Sequence, residues 1–237
     1  MESDENQTMI DDAQSLVLET SCSTGQVALA RGNTILAVRK LDEARRHARD
    51  LIPALAELLE AQNWNARDLD AVFVSRGPGS YTGLRIGIMT AKTLAYATGC
   101  ALVGVDTFSA IALQAPAEAL QIDVTADAQK DEVYVQRFHR SFPEEEWAAQ
   151  GPLTIQAFDS WLGTVAQNGW ISGPGIRGNE SRLAGHLLVD AALREPRAES
   201  IHRLGLERLY RGETDNINAL EPLYLRPSAA EEQQAKR

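Results

Sequence analysis

Hydrophobic and polar positions along this chain fall into short blocks with two different periods. Leu16–Thr20, Gln26–Ala30 and Thr34–Val38 are runs rich in Leu, Val, Ile and Ala that predict strands. Gly32–Asn33, between the second and third runs, is a two-residue hairpin signal. The three strands therefore read as an antiparallel meander. From Ala44 to Gln62 the period becomes helical, with Ala48, Leu51, Ile52, Leu55, Leu58 and Leu59 on one face. Pro53 should start or kink that helix, because it cannot donate the i→i−4 hydrogen bond. The run Ala71–Val72–Phe73–Val74 predicts a strand that leads into the glycine-rich stretch Ser75–Gly87 (SRGPGSYTGLRIG). A helix over 84–97 and a strand over Ala101–Val105 come next.

The order then begins again. Ile122–Ala126 is followed by Asp127, a polar turn and a returning strand at Glu132–Phe138. Glu19 and Asp127 thus hold similar places, each an acid closing the first strand of a hairpin. Beyond them, loops are expected around Pro143–Glu146 and Gly173–Gly178, with helices over Ala157–Gln167, Asn179–Leu193 and Ala198–Arg211. Two βββαβα-type halves indicate an internally duplicated α/β fold.

Composition narrows the function classes. The 237 residues suffice for one large domain or two small ones. No apolar run reaches the roughly 18 residues that cross a bilayer, and the first 14 residues are polar and acidic, unlike a signal peptide. Cys22 and Cys100 are too few for a disulfide framework, which points to the cytosol. Net charge is −10, from 23 basic and 33 acidic residues. Phosphate neutralisation supplies much of the affinity for nucleic acid, so this charge opposes RNA binding by the chain alone.

The glycine-rich stretch lies at a strand-to-helix turn, where backbone N–H groups and a helix N-terminus can hold an anion. A Walker loop would need lysine after Gly83, and Leu84 stands there. A dinucleotide GxGxxG fits Gly77 and Gly79, but Thr82 occupies the sixth position and the glycine comes one residue late; Asp106 lies at a suitable distance beyond. Two readings stay open: a looser backbone cradle of Gly77, Gly79, Ser80 and Thr82, or a tight turn with a helix cap. One helical stripe is nearly bare, with Gly83, Gly87, Ala91 and Ala95 recurring every four residues. It serves close packing against the protein's own sheet or docking against another subunit.

Other chemistry is sparse. His47, His139, His186 and His202 form no HxxxH or HExxH pair. Ser75, Ser80 and Ser109 lack a GxSxG elbow. Glu19 and Asp127 have the chemistry of a metal ligand or general acid and base, or of simple turn formers. Trp147, Trp161 and Trp170 read as core or loop anchors.

Several segments together resemble the bacterial TsaB (YeaZ) family: LVLETSCSTGQVALARG, HARDLIPALAELL, SRGPGSYTGLRIGIMTAKTLAYATG, TADAQKDEVYVQRF and LEPLYLRP. The resemblance spans roughly residues 15–227. It implies a duplicated actin/Hsp70-like ATPase (ribonuclease H-like) fold in two lobes, with an N-terminal lobe over 15–107 and a C-terminal lobe over 108–227; the polar ends at 1–14 and 228–237 read from composition as a flexible extension, unusual for the family, and a flexible tail. It further implies a cytoplasmic, non-catalytic scaffold subunit of the machinery that makes N6-threonylcarbamoyladenosine (t6A) in tRNA. Its partners would be a TsaD-like catalytic subunit, which holds a metal through histidines, and a TsaE-like ATPase. Contact with tRNA would be indirect, through the complex, and no membrane is involved. N-terminal-lobe helices make the family's heterodimer and also its homodimer, which nominates Gly83, Gly87, Ala91 and Ala95 for the interface. No catalytic or metal residue and no cofactor is expected of this chain, with ATP left to the complex. Any nucleotide contact would fall to Glu19, Gly77, Gly79, Ser80 and Thr82. Glu19–Thr20–Ser21 departs from the family's usual Asp-Thr-Ser, and Tyr81 replaces a common Phe. The competing expectation is an autonomous enzyme, either an actin-like ATPase or an M22-type metallopeptidase.

Overall fold

The computed structural model describes residues 12–41 and 47–225, and these form two compact units. The first contains β1 (Gln14–Glu19), β2 (Gln26–Arg31), β3 (Thr34–Lys40), α1 (His47–Ala61), β4 (Ala71–Gly77), α2 (Tyr81–Thr98) and β5 (Ala101–Asp106). Its sheet runs β3-β2-β1-β4-β5. The first three strands are the expected antiparallel meander, and β4 and β5 run parallel to β1. Strands covered on both faces have continuous apolar centres, and Leu16–Leu18 of β1, Val27–Ala30 of β2 and Ala71–Val74 of β4 are such buried runs. Leu16, Leu18, Val27, Leu29, Val72 and Val74 face Leu51, Leu55 and Leu58 of α1 and Ile88, Ala91 and Ala95 of α2. The described part of α1 runs through Pro53, which lies inside the helix rather than at its start.

The second unit contains α3 (Thr107–Ala112, from Phe108 on), β6 (Gln121–Asp127), β7 (Glu132–His139), β8 (Ala148–Ala157), α4 (Phe158–Leu162), β9 (Trp170–Ser172) and β10 (Leu187–Leu188). Its sheet runs β10-β9-β6-β7-β8, with β6, β7 and β8 antiparallel and β9 and β10 parallel to β6. Read from its meander, this is the strand order of the first sheet. The duplication expected from the sequence is therefore present in the backbone. Inside this unit Asp123, almost wholly buried, accepts Arg137 Nε at 2.6 Å and Nη2 at 2.8 Å, and Trp161 Nε1 at 2.9 Å. A buried carboxylate with three donors is compensated rather than reactive.

The structure departs from the sequence reading in three places. Residues 197–223 belong to the first unit, not to a lobe spanning 108–227. The reason is α5 (Ala198–Tyr210), which lies on β1, β2, β4 and β5. Its Gly205 is set so tightly on Phe73 that a Cβ there would overlap the ring. Residues Asn179–Leu193 form turns, β10 and a short 3₁₀ turn rather than a helix, with Gly185 at φ 90°. The helix expected over Ala157–Gln167 ends at Leu162, and β8 before it was not foreseen. The expected tail at 228–237, and all but the last three residues of the expected extension at 1–14, lie outside the described residues; of those three, Ala13 is buried and Gln14 opens β1.

Candidate functional site

The glycine-rich stretch meets the end of β1. Glu19, Thr20 and Ser21 are all buried there. Glu19 Oε1 accepts both the amide and the hydroxyl of Ser21, each at 2.6 Å, which folds the acid back onto its own turn. The Thr20 amide donates to Ser75 Oγ at 3.3 Å and ties this turn to β4. Asp127 makes the same local bond in the second unit, accepting the Gln129 amide at 2.7 Å, but it is exposed. Both acids therefore act as turn formers.

The amides of a phosphate cradle would have to point outward. Gly77, at φ 110°, donates its amide to Thr107 Oγ1 at 3.2 Å. The Ser80 amide donates to the Ser21 carbonyl at 2.7 Å. Ser80 Oγ accepts the Gly83 amide at 3.2 Å, a helix N-cap. Three amides of this loop are thus used within the chain. Gly79 is a contact residue: a Cβ there would overlap the Ser21 carbonyl oxygen. Glu19, Gly79 and Ser80 come together around Ser21, while Thr82 is exposed on the first turn of α2. As built, the arrangement clamps a strand end to a helix start.

The bare stripe is a correction to the sequence reading. Gly83, Gly87, Ala91 and Ala95 are all buried within this chain. A Cβ on Gly83 would overlap the Thr20 carbonyl oxygen, and one on Gly87 the Thr20 hydroxyl. Ala91 and Ala95 pack in the core beneath α1. These four residues seat α2 on its own sheet and present nothing to a partner.

The opposite face of α2 is exposed, and the sequence reading did not single it out. Thr82, Arg85, Met89, Thr93 and Tyr96 form an exposed row, with Met89 61% and Tyr96 84% exposed. The Arg85 guanidinium stacks 4.2 Å over the Tyr81 ring. Ile52 on neighbouring α1 adds a further exposed apolar side chain. The signal was in the spacing: large side chains recur at helical intervals on the side away from the glycines.

Among the described residues no group of three His, Cys, Asp or Glu is arranged to hold a metal ion. His202 is buried on α5 beside Phe73, ring centroids 5.8 Å apart, and its Nε2 has no hydrogen-bond partner. Burial pushes its pKa below the ordinary value, opposed by a backbone hydrogen bond at Gly32. The Cys100 thiol is pushed up chiefly by burial, which makes it a poorer nucleophile. The side chain of His47 lies outside the described residues.

Comparison with known proteins decides what kind of chain this is. The tRNA threonylcarbamoyladenosine biosynthesis protein TsaB of Escherichia coli is 30% identical over 91% of this chain and 95% of its own length. The chain belongs to the TsaB family. TsaB of Bacillus subtilis is 27% identical over 91% of this chain and 95% of its own length. The family model described as TsaD, tRNA N6-adenosine threonylcarbamoyltransferase, matches residues 41–159. Among solved structures, YeaZ from Pseudomonas aeruginosa superposes with a TM-score of 0.74 at 27% identity, covering 90% of this chain and 100% of that one. The duplicated, two-lobed actin/Hsp70-like, ribonuclease H-like architecture is thus the TsaB fold. No helix among the described residues is long and apolar enough to cross a membrane.

Proposed function

We propose that this chain is a non-catalytic scaffold subunit of the machinery that makes t6A in tRNA, and that it acts by heterodimerising with a TsaD-like catalytic subunit. The observation that carries the reading is the match to TsaB proteins along nearly their whole length. The exposed row on α2, with Met89 and Tyr96 at its centre and Ile52 beside it, is the docking face in this proposal. A mixed row that exposes Met89 and Tyr96 beside Arg85, on a helix otherwise anchored in its own core, is suited to burial against a partner helix. A TsaE-like ATPase would join the pair in the cytoplasm, and tRNA would be reached through the complex. The chain would need no cofactor of its own. That part of the proposal is supported by the inward use of the Gly77, Ser80 and Gly83 amides.

The test mixes the chain with a TsaD-like protein and reads complex formation by size exclusion, with t6A formation measured as each component is omitted. Met89→Asp and Tyr96→Asp together should weaken the complex at least about a hundredfold, in the range of hot-spot losses, while leaving the melting temperature unchanged. Gly87→Leu should instead abolish folding. An unaltered complex from the double variant would overturn the docking face. Hydrolysis of ATP or peptide by the chain alone, lost in Glu19→Ala, would favour the autonomous ATPase or metallopeptidase.

A further inference from the structure

The outer edge of a sheet offers unpaired N–H and C=O groups to any strand that approaches, and proteins protect such edges. Among the described residues, three of the four sheet edges carry familiar protection. β3 ends on exposed Arg39 and Lys40, β8 contains Pro152 next to Gly151 at φ 81°, and β10 is two residues long. β5 has none of these devices. Its sequence ALVGVD carries no charge before Asp106 and no proline, the composition that favours strand-to-strand association.

Its edge is occupied from elsewhere. The Asp215 amide donates to the Leu102 carbonyl at 2.7 Å, and Asp215 Oδ2 accepts the Gly104 amide at 2.7 Å. Arg208 Nη1, from α5, donates to the Gly104 carbonyl at 2.6 Å and to Asp215 Oδ2 at 3.0 Å. Arg208 Nε reaches Glu213 at 3.3 Å. One backbone amide, one carboxylate and one guanidinium therefore do what a sixth strand would do. The segment is pinned farther along as well. Leu220 is buried against Gly104, where a Cβ would come within 2.7 Å of Leu220 Cδ1. Lys92 Nζ of α2 donates to the Leu220 carbonyl at 3.1 Å, and the Leu223 amide donates to the Arg76 carbonyl at 2.7 Å.

We propose that residues 213–223 are an edge guard, a strap keyed by Asp215 that fills the strand-accepting edge of β5 and keeps it from pairing with the same edge of a second copy. Asp215 is the key because it satisfies both a carbonyl and an amide of β5 and also holds the arginine that satisfies a third group. Glu213 touches only Arg208 among these contacts and is the control position.

The test uses the full chain carrying Met89→Asp, so that self-association through α2 is not counted and the docking proposal is judged separately. Asp215→Ala should strengthen concentration-dependent self-association by at least about tenfold, read by light scattering, as expected of an uncovered edge. Asp215→Asn keeps an oxygen acceptor for Gly104 and should stay near the parent, as should Glu213→Gln. Amide exchange on the parent provides a reading that does not depend on a variant folding. Gly104, Asp215 and Leu223 should exchange through one shared opening, because a single release frees all three. The proposal is overturned if Asp215→Ala associates no more than the parent, if Asp215→Asn associates equally, or if the three amides exchange at unrelated rates.

Discussion

Both lobes use Gly-Pro-Gly at the end of the strand that runs parallel to the first strand of the meander, Gly77–Gly79 beginning on the last residue of β4 and Gly173–Gly175 directly following β9. In each, the first glycine has positive φ, 110° and 104°. The tight contact falls on different members. In the first lobe the second glycine is pressed onto backbone, since a Cβ on Gly79 would overlap the Ser21 carbonyl, while one on Gly77 would meet only the Leu84 side chain at 3.0 Å and then the Leu223 carbonyl at 3.3 Å. In the second lobe the first glycine is the pressed one: a Cβ on Gly173 would overlap the Thr125 carbonyl, and one on Gly175 would come 2.7 Å from Thr125 Oγ1. The elements downstream of the two turns differ as well. The first turn opens into an 18-residue helix, whereas Pro174 and Gly175 of the second are themselves part of a three-residue 3₁₀ turn. The same tripeptide thus clamps a strand end in both lobes, and only the first lobe builds a long helix on the clamp.

The largest effects should come from the pressed glycines. Gly173→Ala combines a positive φ with a backbone overlap, and Gly79→Ala has the overlap alone. Each should cost about 3 kcal/mol or more, because a backbone carbonyl cannot swing aside. Gly77→Ala and Gly175→Ala should cost about 1–2 kcal/mol. Denaturant unfolding of the four variants gives the ranking, and a ranking that instead favoured the same member in both lobes would break the contrast. A smaller effect is expected where the first lobe alone has a long helix. Ser80→Ala removes the cap on the Gly83 amide and should cost about 1 kcal/mol.

The smallest effect separates the lobes by pH. Burial lowers the pKa of His202, in the first lobe, from its ordinary 6.5. On acidification the unfolded chain takes up this proton first, and the folded chain stays neutral until lower pH. Stability from this group is therefore complete above the unfolded pKa and is lost as pH falls from there toward the folded value. The melting temperature should drop as pH falls below about 6.5, and His202→Gln should flatten that drop. A drop of equal size in the variant would show that His202 is not its source.

The sequence exposed the architecture well because both meanders carry short apolar runs separated by polar turns, and the second strand pair, Ile122–Ala126 with Glu132–Phe138, repeats the first. It was less legible at β8, whose exposed residues show no alternation and which is held in place by pairing with β7. It misled at 179–193, where leucines and alanines mimic a helix but Gly185 and pairing with β9 set the backbone. Residues 197–223 return to the first lobe through contacts with Phe73 and β5 that no local period encodes. At the candidate site the glycines marked the side of α2 that packs on its own sheet, not an exposed one. Small residues signal that something approaches closely, and here that neighbour is Thr20 of the same chain. The second Gly-Pro-Gly was also visible in the sequence, and pairing it with the first would have strengthened the case for duplication.

The two sides of α2 answer to different constraints. One side is read by Thr20 and the core, and admits almost no change at Gly83 or Gly87. The other side, at Arg85, Met89, Thr93 and Tyr96, stands outside the packed core and can be rewritten without disturbing it. If the proposed docking face is the one used, its specificity can drift, or be redesigned, against a fixed mount, so that a lineage could change partners through this surface while its lobe stayed as it is.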